Sequence, residues 1–171
     1  MKSPEVFNDG RKGKVLVFVL RDGNSGFKEV LMGYHVKQEH MNFPGGGIEA
    51  GETAREAAIR EVKEETSLKV INIREVGNMI FEFPQGLGVD LKIFIADEWS
   101  GDLREEGDGN GLENLNWYSL DDLPRDQMWP TDLDWIDYAW RDEYFKGHLV
   151  FDENGEGHDL AITLNNEIKG V

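Results

Sequence analysis

The stretch Gly45–Leu68, GGGIEAGETAREAAIREVKEETSL, leaves little freedom in what can form around it. Thr53 and Glu56 make a T-x-x-E capping box, and Ala54 to Thr66 are rich in strong helix formers, so a helix is expected over 54–66. At ~100° per residue, Glu61, Glu64 and Glu65 fall within an arc of roughly 100° on one face. Ala57, Ala58, Ile59 and Val62 supply the opposite, buried side. Like charges one turn apart repel. A divalent cation is the natural compensation, because hard ions such as magnesium take carboxylate oxygens together with substrate phosphates. Magnesium is the first expectation and manganese the second. Arg60 lies beside the acidic face, where its planar fork can hold a carboxylate in one rotamer. Gly45, Gly46 and Gly47 let the backbone run close to the helix, so that a carbonyl oxygen can join the ion. The plainer alternative is a solvated, Glu-rich helix face.

The rest of the chain reads as one domain over 14–171, behind a polar lead-in over 1–13 expected to be flexible. Strands are expected at Lys14–Leu20, Lys28–Tyr34, Lys69–Gly77, Asn78–Phe83, Val89–Asp97 and Leu115–Ser119. His35–Met41 reads as a polar loop and Glu98–Gly111 as an acidic one. A second helix is expected over Thr131–Phe145. Leu133, Ile136, Ala139 and Trp140 give it an apolar stripe, and Thr131 with Asp134 a cap. His148–Phe151 and His158–Leu164 close the chain as a hairpin. The fold class is α/β: a mixed sheet with at least two helices packed on it.

Composition narrows the partners. With 18 basic against 34 acidic residues, the net charge is −16. Such a surface repels nucleic acid polymers and anionic membranes, and no segregated basic patch is visible. Neither a membrane span nor an apolar signal core is present, so a cytoplasmic protein is expected. The absence of cysteine excludes disulfides, thiolate metal sites and a cysteine nucleophile. Oligomeric state stays open, with a monomer as one reading.

Taken with its spacing, the central stretch says more. Gly46, Glu52 six residues on, Arg60-Glu61-Val62-Lys63-Glu64-Glu65 and then Leu68 follow the pattern G-x5-E-x7-R-E-U-x-E-E-x-G-U. The sequence resembles the Nudix hydrolases. Its one departure is Ser67, where the pattern has the glycine that ends the helix. FPGG before the box, VGNMIFEF at 76–83, NWYSLDDLP at 116–124, MWPTD at 128–132 and the final hairpin extend the likeness over residues 14–165. They resemble the MutT-type branch that acts on oxidised purine nucleoside triphosphates.

That resemblance implies an α/β/α sandwich and hydrolysis of a nucleoside triphosphate of the 8-oxo-dGTP type to monophosphate and pyrophosphate. It implies a catalytic set of Glu52, Arg60, Glu61, Glu64 and Glu65, with Gly45, Glu61, Glu64 and Glu65 as metal ligands. Glu65 and Glu113 are the candidates for general base, although Glu113 also reads as a plain loop carboxylate. For the substrate it implies Trp129 as the aromatic that stacks the base, with Asn42, Thr131, Asp132 and Gly46 beside it. Thr131 stands where the branch has the first of two adjacent acids, so selectivity among oxidised bases is expected to differ. Thr131 and Asp132 fit a helix cap equally well. His35, Lys37 and His40 read as phosphate-facing or simply exposed. Trp117, Trp135 and Trp140 read as packing residues and Trp99 as a strand-end aromatic. The alternatives are hydrolysis of ADP-ribose, a dinucleoside polyphosphate or an mRNA cap, and a non-catalytic binding module.

Overall fold

A computed structural model describes residues 10–23, 26–104, 111–141 and 143–165. The lead-in over residues 1–9 and the centre of the acidic loop, 105–110, lie outside the described residues. The chain builds strands β1 (Lys12–Asp22), β2 (Lys28–His35), β3 (His40–Asn42) and β4 (Gly45–Gly47), then helix α1 (Ala54–Thr66). Strands β5 (Lys69–Phe83), β6 (Leu87–Ser100), β7 (Leu112–Ser119), β8 (Tyr144–Phe151) and β9 (Gly157–Asn165) follow. They form one sheet in the order β3-β2-β1-β6-β5-β8-β9, with β4 paired to β1 and β7 to β2. The β1–β6 and β5–β8 pairs are parallel and the others antiparallel, so the sheet is mixed as expected.

Period-two alternation in β1 divides the interior into two cores. Val15, Val17 and Val19 point to one face, where Ala57, Ala58 and Val62 of α1 pack on them. Leu16, Phe18 and Leu20 point to the other, against Trp135, Ile136, Ala139 and Phe145. Phe18 and the three valines but Val15 are wholly buried, and each such side chain stabilises the fold by about 1.5–3 kcal/mol.

Helix α1 has the bounds its capping box predicts. Thr53 accepts a hydrogen bond from the Glu56 N–H at 3.2 Å, and Glu56 accepts one from the Thr53 N–H at 2.8 Å. The helix ends at Ser67 in the left-handed conformation, φ 68°, with its N–H bonded to the Lys63 carbonyl. Serine thus makes the same helix end that glycine would.

The second expected helix does not form. Residues 131–145 instead hold two 3-10 turns, Pro130–Asp134 and Ile136–Tyr138, and then enter β8 at Tyr144. Among the described residues α1 is the one α-helix, so the second layer of the expected sandwich consists of these turns. Leu133, Ile136 and Ala139 recur every three residues, which is the 3-10 period. The chain at Trp135, φ −127°, departs from helical geometry between the two turns. Phe145 is claimed by the sheet: it pairs with Gly77, where a Cβ would collide with the Phe145 ring.

Smaller differences have local causes. Residues 69–83 form one long strand rather than two, because bulges between Val70 and Gly77 absorb the irregularity without breaking the pairing. The loop after β2 is shorter than expected, since His40–Asn42 pairs back onto β2 through a turn with Glu39 at φ 58°. No helix among the described residues is long and apolar enough to cross a membrane.

Candidate functional site

The acidic face of α1 meets the glycine strand β4. Antiparallel pairing aligns Val15 with Gly46 and Leu16 with Gly45, which brings β4 past the helix. Gly46 is there of necessity: a Cβ at this position would overlap the Glu61 carboxylate. A Cβ at Gly45 would meet the Val15 carbonyl oxygen.

Arg60 organises the carboxylates around it. Its Nε and Nη2 donate to the two oxygens of Glu52 at 2.8 and 3.0 Å, a bidentate fork. Nη1 donates to Glu61 at 2.8 Å and to Glu64 at 3.2 Å, and Nη2 also donates to the Gly47 carbonyl at 2.9 Å. The Glu52 bonds raise the guanidinium pKa further, burial opposes them, and the bond and charge of Glu61 add to the rise. Glu52 reaches back as well, accepting from the Glu49 N–H at 2.7 Å. Burial pushes the Glu61 carboxyl pKa up; Arg60 opposes this, and Glu64 and Glu52 add to it.

Glu65 faces the other way. It accepts from the Gly45 N–H at 3.0 Å, and Gly111 leaves room for it, since a Cβ there would lie 2.8 Å from its Oε1. Burial pushes its pKa up to about 7; the Gly45 bond opposes, Glu61 repulsion adds, and the Arg104 charge and a Leu112 N–H oppose. Arg104 anchors the neighbourhood by donating to the carbonyls of Glu64, at 3.3 Å, and Leu112.

Among the described residues no three acidic or histidine side chains are already gathered closely enough to enclose an ion. The donor chemistry nevertheless fits a hard divalent cation. Glu61, Glu64 and Glu65 offer carboxylate oxygens alone, from one helix. The Glu64 side chain is 60% exposed and is held by the longest of the Arg60 carboxylate bonds, 3.2 Å.

Beside β4 opens a cavity of about 450 Å³. The predicted base-site residues Asn42, Trp129, Thr131 and Asp132 all line it, together with Gly45 and Gly46. Trp129 is 40% exposed, with His40 against its ring at 4.0 Å between centroids. Trp140 and Trp117 pack instead, Trp140 on Phe18 and Trp117 on Trp99, while Trp135 is buried in the core and also lines the cavity. Asn42 accepts from the Phe43 N–H at 2.8 Å and donates to Gln38 at 3.1 Å, which fixes its amide.

Asp132 does not cap a helix. Its carboxylate accepts from the Trp135 indole N–H at 3.2 Å, and burial pushes its pKa up to about 7, a shift that bond opposes. Thr131 makes no cap either, as the turn begins at Trp129 without a side-chain bond. Its methyl group backs onto Gly157. Glu113 is no loop residue: it lies half-buried in β7, paired with Tyr34.

Sequence reasoning missed the apolar wall, Phe81, Phe83, Val89, Leu91 and Phe151, and with it Lys14. The signal for Lys14 was available. It shares the parity of Leu16, Phe18 and Leu20, so a charged residue stands at a core-facing position of β1.

Comparison with known proteins places the chain in the NUDIX family. A family model described as the NUDIX domain matches residues 10–160. The chain is 33% identical over 122 residues to the oxidized purine nucleoside triphosphate hydrolase of Danio rerio, covering 69% of this chain and 71% of that one. It is 40% identical over 79 residues to the NAD-capped RNA hydrolase NudC of Photorhabdus laumondii, covering 46% of this chain and 29% of the relative. In structure it resembles the mutator protein MutT of Bacillus halodurans, with a TM-score of 0.71 and 22% identity over 91% of this chain and 99% of that one.

Proposed function

From the chain's membership of the Nudix hydrolase family, enzymes that act on pyrophosphate bonds, we propose that it hydrolyses oxidised purine nucleoside triphosphates, chiefly 8-oxo-dGTP, to the monophosphate and pyrophosphate. The observation that carries this reading is the contact between two features. A cavity walled by Trp129, Asp132 and Asn42 shares Gly45 and Gly46 with the carboxylate face of α1. A base seated in the first leaves its phosphates beside the second.

In this reading Trp129 stacks the base, and Asp132 and Asn42 bond its edge. An Asp132 carboxyl with a pKa near 7 is present in both protonation states at neutral pH, so it can donate to or accept from an oxidised base. Thr131 adds a hydroxyl where the branch has a second acid. Glu61, Glu64 and Glu65 would hold magnesium, with the Gly45 carbonyl as a further ligand, and manganese would serve in its place. When bound, the ion supplies neutralisation of phosphate charge and a more acidic water. Arg60 keeps Glu52, Glu61 and Glu64 in position. Water attacks phosphorus in line, and Glu65, on the carboxylate face and bonded to the Gly45 N–H, is the favoured acceptor of its proton. The substrate is a free nucleotide, in keeping with the net charge of −16.

A panel of nucleotides, assayed for pyrophosphate release with and without magnesium, tests the reading. Release from 8-oxo-dGTP should be magnesium-dependent and well above that from dGTP. Equal rates reject the preference for oxidised bases. The likeness to a NAD-capped RNA hydrolase favours one second reading, cleavage of a dinucleotide-type pyrophosphate. ADP-ribose, a dinucleoside polyphosphate and capped RNA belong in the same panel.

A further inference from the structure

Lys14 is unusual in its surroundings. It is half-buried and lines the cavity, and among the described residues no carboxylate pairs with it, although the chain carries 34 acidic residues against 18 basic. Half-buried lysines are ordinarily paired or reach water with the head group. The acid of the same cavity, Asp132, is turned to the Trp135 indole instead. His35 lines the same cavity, close enough to feel the charges of Lys37 and Lys14. The His35 Nδ1 is buried and has no hydrogen-bond partner. Burial lowers the imidazole pKa most, the residue's own backbone opposes this, and the Lys37 and Lys14 charges lower it further, which favours a neutral ring with one donor and one acceptor.

Position gives these two residues a task. Lys14 pairs with Gly47, whose carbonyl receives Arg60, and the next residue, Gly46, backs onto Glu61. Lys14 therefore stands on the wall that the cavity shares with the carboxylate face. A nucleotide with its base in the cavity and its scissile bond beside those carboxylates must run its sugar and first phosphate along this wall.

We propose that Lys14 and His35 form a subsite for the sugar–phosphate junction, with the Lys14 ammonium on an oxygen of the phosphate nearest the sugar and the His35 ring on a sugar hydroxyl. The proposal rests on the reading of the cavity as a nucleotide site. It assigns a positive contact to the phosphate that stays on the nucleoside after cleavage, so the monophosphate product should feel it.

The test compares 8-oxo-2′-deoxyguanosine with its 5′-monophosphate, and adenosine with AMP, by calorimetry on the full chain without added metal. Lys14→Met should weaken monophosphate binding about tenfold, the scale of one charge-assisted contact, and leave nucleoside binding unchanged; Lys14→Arg should restore it. His35→Ala should weaken nucleoside and monophosphate by the same factor. Thermal melts of each variant establish that the fold persists. A monophosphate-to-nucleoside affinity ratio unchanged in Lys14→Met overturns the subsite, as does a wild type that binds none of the four ligands. A wild type that binds them yet cleaves dGTP as fast as 8-oxo-dGTP refutes the base preference alone, and leaves the Lys14 comparison standing.

Discussion

At the scale of single residues, two positions show how little latitude the site has. Gly46 exists because Glu61 fills the space a side chain would need. In Gly46→Ala the flexible end of Glu61 must move, so stability should change by less than about 1 kcal/mol while kcat falls at least about tenfold, 1.4 kcal/mol of barrier. Steady-state kinetics beside a thermal melt would separate the two effects, and a kcat near wild type would show that the Glu61 position is immaterial. Asp132 makes the second case. Its pKa rises from an ordinary 3.8 to about 7 on folding, so the folded chain holds a proton that the unfolded chain has released between those values. Stability from this group is therefore greatest below pH 3.8, declines as pH rises, and is fully lost above 7. Asp132→Asn should melt higher than wild type at pH 8 by about 1–2 kcal/mol, after discount for water in the cavity, and the gap should close toward pH 4. A gap that widened on acidification would contradict the burial that raises the pKa.

At the scale of elements, helix α1 makes its own prediction. Ser67 holds φ 68°, where a Cβ is crowded and glycine is not. Ser67→Gly should stabilise the chain by about 1 kcal/mol, a rise in Tm of about 2–4 °C, without altering the cap bond to the Lys63 carbonyl. A lower Tm would mean that the serine hydroxyl contributes more than its backbone costs. This helix was legible because each of its signals is local: the capping box, the run of helix formers and the glycines before it lie within a few turns of one another. The strands were legible from short β-branched and apolar runs beside turn clusters, and the carboxylate face from spacing. What failed was non-local. The stripe Leu133-Ile136-Ala139 fits an α-helix and a 3-10 turn alike, and the choice fell to Phe145, whose ring needs the space above Gly77, far away in sequence. Asp132 and Trp129 could be named from the likeness of MWPTD to a family, but the indole that holds Asp132 could not. The phenylalanine wall stayed hidden because a cavity belongs to several strands at once, whereas Lys14 was marked by its core-facing parity in β1 alone.

At the scale of the whole molecule, charge decides the response to ions. A net −16 on 171 residues repels itself in the compact state, and salt screens that repulsion over a Debye length of about 10 Å at 0.1 M. Sodium chloride should therefore raise Tm smoothly, without saturation at millimolar concentration. Magnesium should do this and something more. An ion held by Glu61, Glu64 and Glu65 binds the folded chain alone, because the unfolded chain does not gather the three. It then stabilises by RT ln(1 + [Mg]/Kd), about 2.7 kcal/mol at a hundredfold excess over Kd. At matched ionic strength magnesium chloride should raise Tm beyond sodium chloride in the wild type. In Glu64→Gln the difference should shrink and kcat should fall strongly, while the response to sodium chloride stays as it was. Glu64 suits the test because its side chain is mostly exposed and holds Arg60 by the longest of that guanidinium's carboxylate bonds, so its loss disturbs the rest of the cluster least. Equal curves for the two salts in the wild type would reduce the three glutamates to a solvated helix face, and with that the link between the acidic helix and hydrolysis would be gone.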